Sequence, residues 1–375
     1  MKKTILKTTQ KIILLIVVFS AVFFSWKISN RFEVPEAPST SSLGSSLEIF
    51  TYNQSQHNDP VKNCWYDSGD YVVFLQRNVE SLYYLSLAHQ QAQKEAVRSD
   101  LWQVIDQQLP CAEEMLAKNL KQFRDQRSHG QNYFPPRFSD VTSDDEIYTF
   151  RENEGKDIHL LLSLTYRNLG DDEKADEHLE KAESLADVTI TERCCEEGPL
   201  QHSYNEYIAL QALAHDEEVD DDLFDGLWGV NFIALAHLND GHQSVIRALL
   251  KDVKENWSPS AEQFDYIGGN YDIAGITAME SLYRKQFEDE QFHEFSDELW
   301  VYLEGENEYR VDFLNYEDVY HPCYFFNACE LNDTLINGRD KTGFDPDRRD
   351  VWRNTEVQLV GHAQFILARV LYEEL

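Results

Sequence analysis

Basic residues are scarce in this chain. Its 375 residues hold 33 Lys and Arg against 67 Asp and Glu, a formal charge of −34. The body of the chain has no cluster of Lys and Arg with interleaved aromatics. Grip on a phosphate backbone needs such a basic stripe, so nucleic acid is excluded as a general partner. Anionic polymers are repelled for the same reason, and a neutral or cationic substrate fits better. Several motifs are absent as well: a Gly-rich loop ending in Lys and Ser or Thr, a Gly-x-Ser-x-Gly elbow, a His-Glu-x-x-His pair and an ordered EF-hand loop. Gly268-Gly269-Asn270 lacks the strand–loop–helix setting of a dinucleotide fold. No cofactor and no metal is expected.

One long apolar run exists, from Ile12 to Trp26. Lys2, Lys3, Lys7 and Lys11 precede it and Lys27 closes it, which favours keeping the first end in the cytoplasm. Phe23, Phe24 and Trp26 occupy the place of a small-x-small cleavage site. The reading is a basic cytoplasmic segment at 1–11 and a signal anchor at 12–27, with a cleaved signal peptide as the alternative. In both cases the body is exported, either held at the membrane with its domain extracytoplasmic or secreted. Beyond residue 28 the chain keeps 28 basic and 67 acidic residues, so the acidity belongs to the exported part. An oxidising compartment permits disulfides among Cys64, Cys111, Cys194, Cys195, Cys323 and Cys329. Fifteen full pairings are open, and the spacings give no zinc pattern.

Residues 28–46, with Pro35, Pro38 and the run Ser39 to Ser42, read as a flexible tether, and 47–375 as one folded domain. That domain is helical in pattern. Val79, Leu82, Tyr83, Ser86 and Leu87 make one apolar face with a 3.6-residue period. Ile158, Leu161, Leu162, Thr165, Tyr166 and Leu169 make another, and Gly170 supplies its C-terminal cap. Ala175, Leu179, Ala182 and Ala186 form a small-residue face. Leu227, Val230, Ala234 and Leu238 repeat the pattern, and Leu359, Ala363, Ile366, Leu367 and Val370 close the chain. Strand alternation is rare. Antiparallel helix pairs suit an open solenoid or a closed α/α barrel, and the lack of a fixed-period repeat weakens the solenoid.

Two segments carry candidate chemistry. In Cys64-Trp65-Tyr66-Asp67-Ser68-Gly69-Asp70-Tyr71, two carboxylates stand three apart across a Ser-Gly pair, just before a helix. Gly69 allows a turn that a Cβ would obstruct, and a helix N-terminus keeps a carboxylate ionised. Such a pair can hold and deprotonate a water; the plain reading is a helix cap with a polar turn. In the second segment, Glu356 opens the last helix after Trp352-Arg353-Asn354-Thr355. It is a first-turn charge or, if partly buried, a general acid. Glycoside hydrolysis needs one acid for the leaving oxygen and one carboxylate to activate water.

These residues resemble the family 9 glycoside hydrolases. The early signature of that family, Trp-Tyr-Asp-Ala-Gly-Asp before a helix, matches Trp65-Tyr66-Asp67-Ser68-Gly69-Asp70 with one change. Its late catalytic Glu is similar to Thr355-Glu356-Val357. Leu227-Trp228-Gly229-Val230 and the turn at Leu303 to Tyr309 follow the order of the family between them. The resemblance spans residues 47 to 375. It implies an (α/α)6 barrel and an inverting hydrolase of a β-1,4-linked glucan or related exopolysaccharide. In it Asp70 is the general base, Asp67 positions the water and Glu356 is the general acid. Where the family has a His-His-Arg cluster, this chain has Tyr320-His321-Pro322-Cys323, so the resemblance gives His321 part of substrate binding and Arg348, or its neighbour Arg349, the compensating charge. Trp352 is the sugar platform, and Tyr66 is a cleft wall or a core support. The alternative is an inactive barrel that binds glycan or scaffolds a membrane-associated assembly.

Overall fold

Burial separates two kinds of helix along this chain. The computed structural model describes residues 43–52, 54–55, 60–67, 72–124, 147–150, 155–185, 210–215, 217, 242–256, 269–307, 309–315, 333–336, 338 and 357–374. Its helices are α1 (Leu43–Tyr52), α2 (Leu75–Gln91), α3 (Glu95–Ala117), α4 (Lys156–Asn168), α5 (Asp172–Ser184), α6 (Gln243–Asn256), α7 (Gly269–Phe287), α8 (His293–Leu303) and α9 (Leu359–Glu374). In α2, α4 and α7 most positions are buried on every side, and α9 is buried from Leu359 to Leu371. In α5 and α6 a single stripe goes inward: Ala175, His178 and Ala182 in one, Ile246, Leu250 and Val253 in the other. A helix that is apolar all round belongs inside, and a one-stripe helix belongs outside. The sequence therefore sorts its helices into an inner and an outer layer.

The inner helices stand in the order α7, α9, α2, α4, each against the next. The last helix thus lies beside the first inner one, and the two ends of the domain meet. An open solenoid, where each unit touches only its neighbours in sequence, does not do this. Outer helices pair with inner ones through short turns: α2 with α3, α4 with α5, α7 with α8. The α4–α5 turn shows how. Gly170 takes φ +78°, a left-handed conformation that costs glycine little. Its N–H donates to the Arg167 carbonyl, and the Asp171 N–H donates to that of Tyr166. The Asp171 side chain then accepts from the Lys174 N–H and caps α5.

The structure departs from the sequence reading at two places and settles one pairing that the sequence left open. The expected all-helical class gains a small antiparallel sheet of β1 (Val72–Phe74), β2 (Leu120–Arg124) and β3 (Tyr148–Thr149) in that order. Its strands have two to five residues, too few for a period of two to register. Residues 43–46, read as tether, belong to α1, where Leu43 and Ser46 are buried. Ser46 is held there by Arg369 Nη1 at 2.6 Å and itself donates to the Asp333 carbonyl. Among the cysteines, Cys64 and Cys111 pair, with Cα atoms 5.3 Å apart, and the other four lie outside the described residues. The bond ties the segment before Asp67 to α3. Among the described residues no helix is long and apolar enough to cross a membrane, and the expected anchor at 12–27 lies outside them.

Candidate active site

The Trp65–Asp67 segment is fixed by uncharged groups. The Trp65 indole is fully buried, donates Nε1–H to the Phe50 carbonyl at 2.7 Å and packs its ring on that of Phe50. Asn78, buried in the first turn of α2, grips the Trp65 main chain from both sides. Its Oδ1 accepts the Trp65 N–H at 3.0 Å, and its Nδ2 donates to the Trp65 carbonyl at 3.0 Å and to that of Phe74. Gln108 of α3 donates to the same Asn78 Oδ1. A carboxamide carries its donor and its acceptor on one carbon, which lets it pair with the N–H and the C=O of a single residue.

Asp67 is the node of the region. Its N–H donates to the Val72 carbonyl at 3.0 Å. Its own carbonyl accepts the Leu359 N–H at 2.8 Å. That bond spans nearly the whole domain in sequence and uses an N–H that the helix itself cannot satisfy, the first of α9. The next orphan is met as well: Gln358 N–H donates to Tyr271 Oη at 2.8 Å, and Tyr271 Oη donates to the Leu335 carbonyl. The Tyr271 ring can stand so close because residue 361 is glycine; a Cβ there would overlap the ring.

The Asp67 side chain is 26% exposed, with Arg77 Nε 4.0 Å from its Oδ1. Arg77 Nη1 also donates to Glu80 Oε2 at 3.0 Å, and Gln76 donates to the other oxygen at 2.9 Å. Glu80 is 13% exposed on its side chain. Burial pushes its carboxyl above the usual range, the nearby Arg77 charge opposes this, and Asp157 at the start of α4 adds to the rise. The result is a partly open carboxylate beside a guanidinium and a second, more readily protonated carboxyl. Such a set can orient a water or a sugar hydroxyl.

Of the residues singled out by sequence, Asp67 stands at this junction. Tyr66 is 2% exposed, which makes it a core support, since a sugar needs an open ring face. Asp70, His321, Arg348, Trp352 and Glu356 lie outside the described residues. Sequence reasoning missed Arg77, Glu80, Asn78 and Tyr271. Arg77 and Glu80 carried a faint signal as an i,i+3 pair of opposite charge right after the Asp-Ser-Gly-Asp turn. His362 was read as a packed helix residue, and it is one: buried between Phe50 and Phe365, with Nε2 2.7 Å from the Ser46 carbonyl.

Comparison with known proteins adds the fold. No family model matches the sequence, and no curated protein does. Solved structures do match. The cellulase Cel9M of C. cellulolyticum is 14% identical, with 88% of this chain and 96% of that one covered at a TM-score of 0.64. Endoglucanase CelQ from Clostridium thermocellum, complexed with cellotetraose, is 14% identical over 88% of this chain and 70% of its own, with the same TM-score of 0.64. The endoglucanase of the termite Nasutitermes takasagoensis is 13% identical over 88% and 98%, at 0.60. The described chain has the fold of the family 9 cellulases, the (α/α)6 barrel.

Proposed function

We propose that this chain is an inverting glycoside hydrolase of a β-1,4-linked glucan or a related exopolysaccharide. Asp70 serves as general base, Asp67 orients the attacking water, and Glu356 protonates the leaving oxygen. His321, Trp352 and Arg348 contact the sugar chain. One observation carries the reading: the Leu359 N–H to Asp67 carbonyl bond, which joins the two signature segments. Asp70 stands three residues after Asp67 and Glu356 three before Leu359, and three residues of extended chain reach at most about 11 Å. Inverting catalysis wants its two carboxyl groups roughly 6.5–9.5 Å apart, with room for a water between them. The fold likeness to cellulases supports the substrate class. The Cys64–Cys111 bond supports an oxidising compartment, reached through the N-terminal segment as signal anchor or cleaved leader.

The test is hydrolysis of soluble β-glucans, chitooligomers and cell-surface polysaccharide, with product anomers followed by NMR. Cleavage that first yields the α-anomer is expected. Glu356→Gln and Asp70→Asn should each lower kcat by about 10²–10⁴-fold with the fold intact. Glycan binding without turnover in the wild type would overturn the reading.

A further inference from the structure

Away from the site, α3, α4 and α5 meet around four linked side chains. Glu113 Oε1 accepts from Tyr166 Oη at 2.7 Å and lies 3.0 Å from His178 Nε2. His178 is fully buried, and its Nδ1 stands 2.9 Å from His159 Nδ1. Burial alone would raise the Glu113 carboxyl. The hydrogen bonds from His178 and Tyr166 outweigh it, with the His178 and Lys174 charges, and bring it to about 2. Glu113 is thus a carboxylate, an acceptor only, and His178 Nε2 must carry a proton to meet it.

The two rings lie end to end. Their centres are 5.2 Å apart. An imidazole nitrogen stands about 1.2 Å from its ring centre, so a straight centre–N···N–centre line gives about 5.3 Å. That is a linear N–H···N bond. Two nitrogens on one tetrahedral zinc would stand about 3.3 Å apart on converging axes. Among the described residues no group of three or more His, Cys, Asp or Glu is arranged to hold a metal.

One proton fits between the two Nδ1 atoms, and two do not. The chain can still accept one extra proton without breaking. It enters at His159 Nε2, the shared proton moves onto His178 Nδ1, and the charge comes to rest beside Glu113. A second extra proton would set two N–H groups against each other. We infer that Glu113, His178 and His159 form an acid-release latch, in which the His159–His178 bond ties α4 to α5 until a second proton enters the histidine pair, while Glu113 keeps His178 on α3. The charged groups around His159 agree. Burial first, then His178 and Lys181, push it down to about 4, with Glu113 and Glu177 opposing. Lys174, on α5, lies 3.8 Å from Glu113 and faces the Tyr166 ring. The inference does not rest on the hydrolase reading, but α4 also carries Asp157, whose charge acts on Glu80 beside Asp67. Release would therefore reach the candidate site.

The experiment is amide hydrogen exchange of residues 156–184 in the full-length chain from pH 7 to 3, corrected for intrinsic rates, beside imidazole ¹⁵N spectra of histidine-labelled protein. Protection of the hairpin is expected to hold at mildly acid pH and then fall by about tenfold per pH unit below the release point. The spectra should show a single shared Nδ1 proton. His159→Gln keeps a donor toward His178 but does not titrate, so its hairpin should stay protected where the wild type opens. The latch is overturned if that variant opens at the wild-type pH, or if the wild-type pair takes two protons with protection unchanged. Should the variant fail to fold, the wild-type exchange and spectra decide alone.

Discussion

The Asp67 junction and the α4–α5 hairpin are both buried polar regions, yet they are knit from different groups. Around Asp67 the ties are amides, carbonyls and a phenol: Asn78 on Trp65, Leu359 on Asp67, Tyr271 on Gln358. Around Glu113 they are a carboxylate and two imidazoles. Neutral hydrogen bonds do not change with pH, whereas an imidazole bond depends on who holds the proton. The contrast teaches that the main-chain ties of the junction carry no titrating proton, whereas the ties of the hairpin run through imidazoles.

The largest expected effect tests the junction alone. Cys64→Ser opens a loop of 47 residues, and the chain-entropy account gives a loss of about 4 kcal/mol, equal at pH 7 and pH 5. Urea unfolding at the two pH values checks it; a loss that changes with pH would blur the contrast. Asn78→Leu comes next. It leaves the Trp65 N–H and carbonyl without their partner and should cost roughly 3 kcal/mol, again independent of pH.

Besides Glu80, His362 is a titratable group that could break the contrast from the junction side. Burial pushes it down to about 4, against the pull of the Ser46 carbonyl. The folded protein thus favours the neutral ring more than the unfolded chain does. This contribution is fully present above the unfolded value of 6.5 and is lost as pH falls toward 4, by up to about 3 kcal/mol. Unfolding midpoints of wild type and His362→Asn should converge across that window; parallel curves would contradict the assignment. The smallest effect falls on the hairpin: Tyr166→Phe removes one hydrogen bond to a carboxylate and should cost about 2 kcal/mol by thermal unfolding at pH 7.

Much of the helical frame was legible because it rests on local period. The faces at Val79–Leu87 and Ile158–Tyr166 are buried as their spacing requires, with Leu169 partly buried beyond, and Gly170 ends α4 because only backbone freedom is needed there. The strands were not legible, since two to five residues carry too little alternation. Asn78 looks like a polar blemish on an apolar face, and its partner Trp65 lies thirteen residues away on another element. Tyr271 matters only because Gly361, on a different helix, makes room for its ring. His159 and His178 show no motif; a turn and an antiparallel hairpin bring them together. The Asp67 segment was readable as chemistry because its two aspartates and glycine are adjacent in sequence; the helix expected directly after them starts only at Leu75, behind β1, and the contact that gives Asp67 a partner is long-range.

That contact is the centre of the account. A crystal structure with a bound cello-oligosaccharide measures it directly, as the separation of the Asp70 and Glu356 carboxyl groups. The expected separation is roughly 6.5–9.5 Å with the scissile bond between them. A separation beyond about 12 Å, or a sugar bound elsewhere, would contradict it.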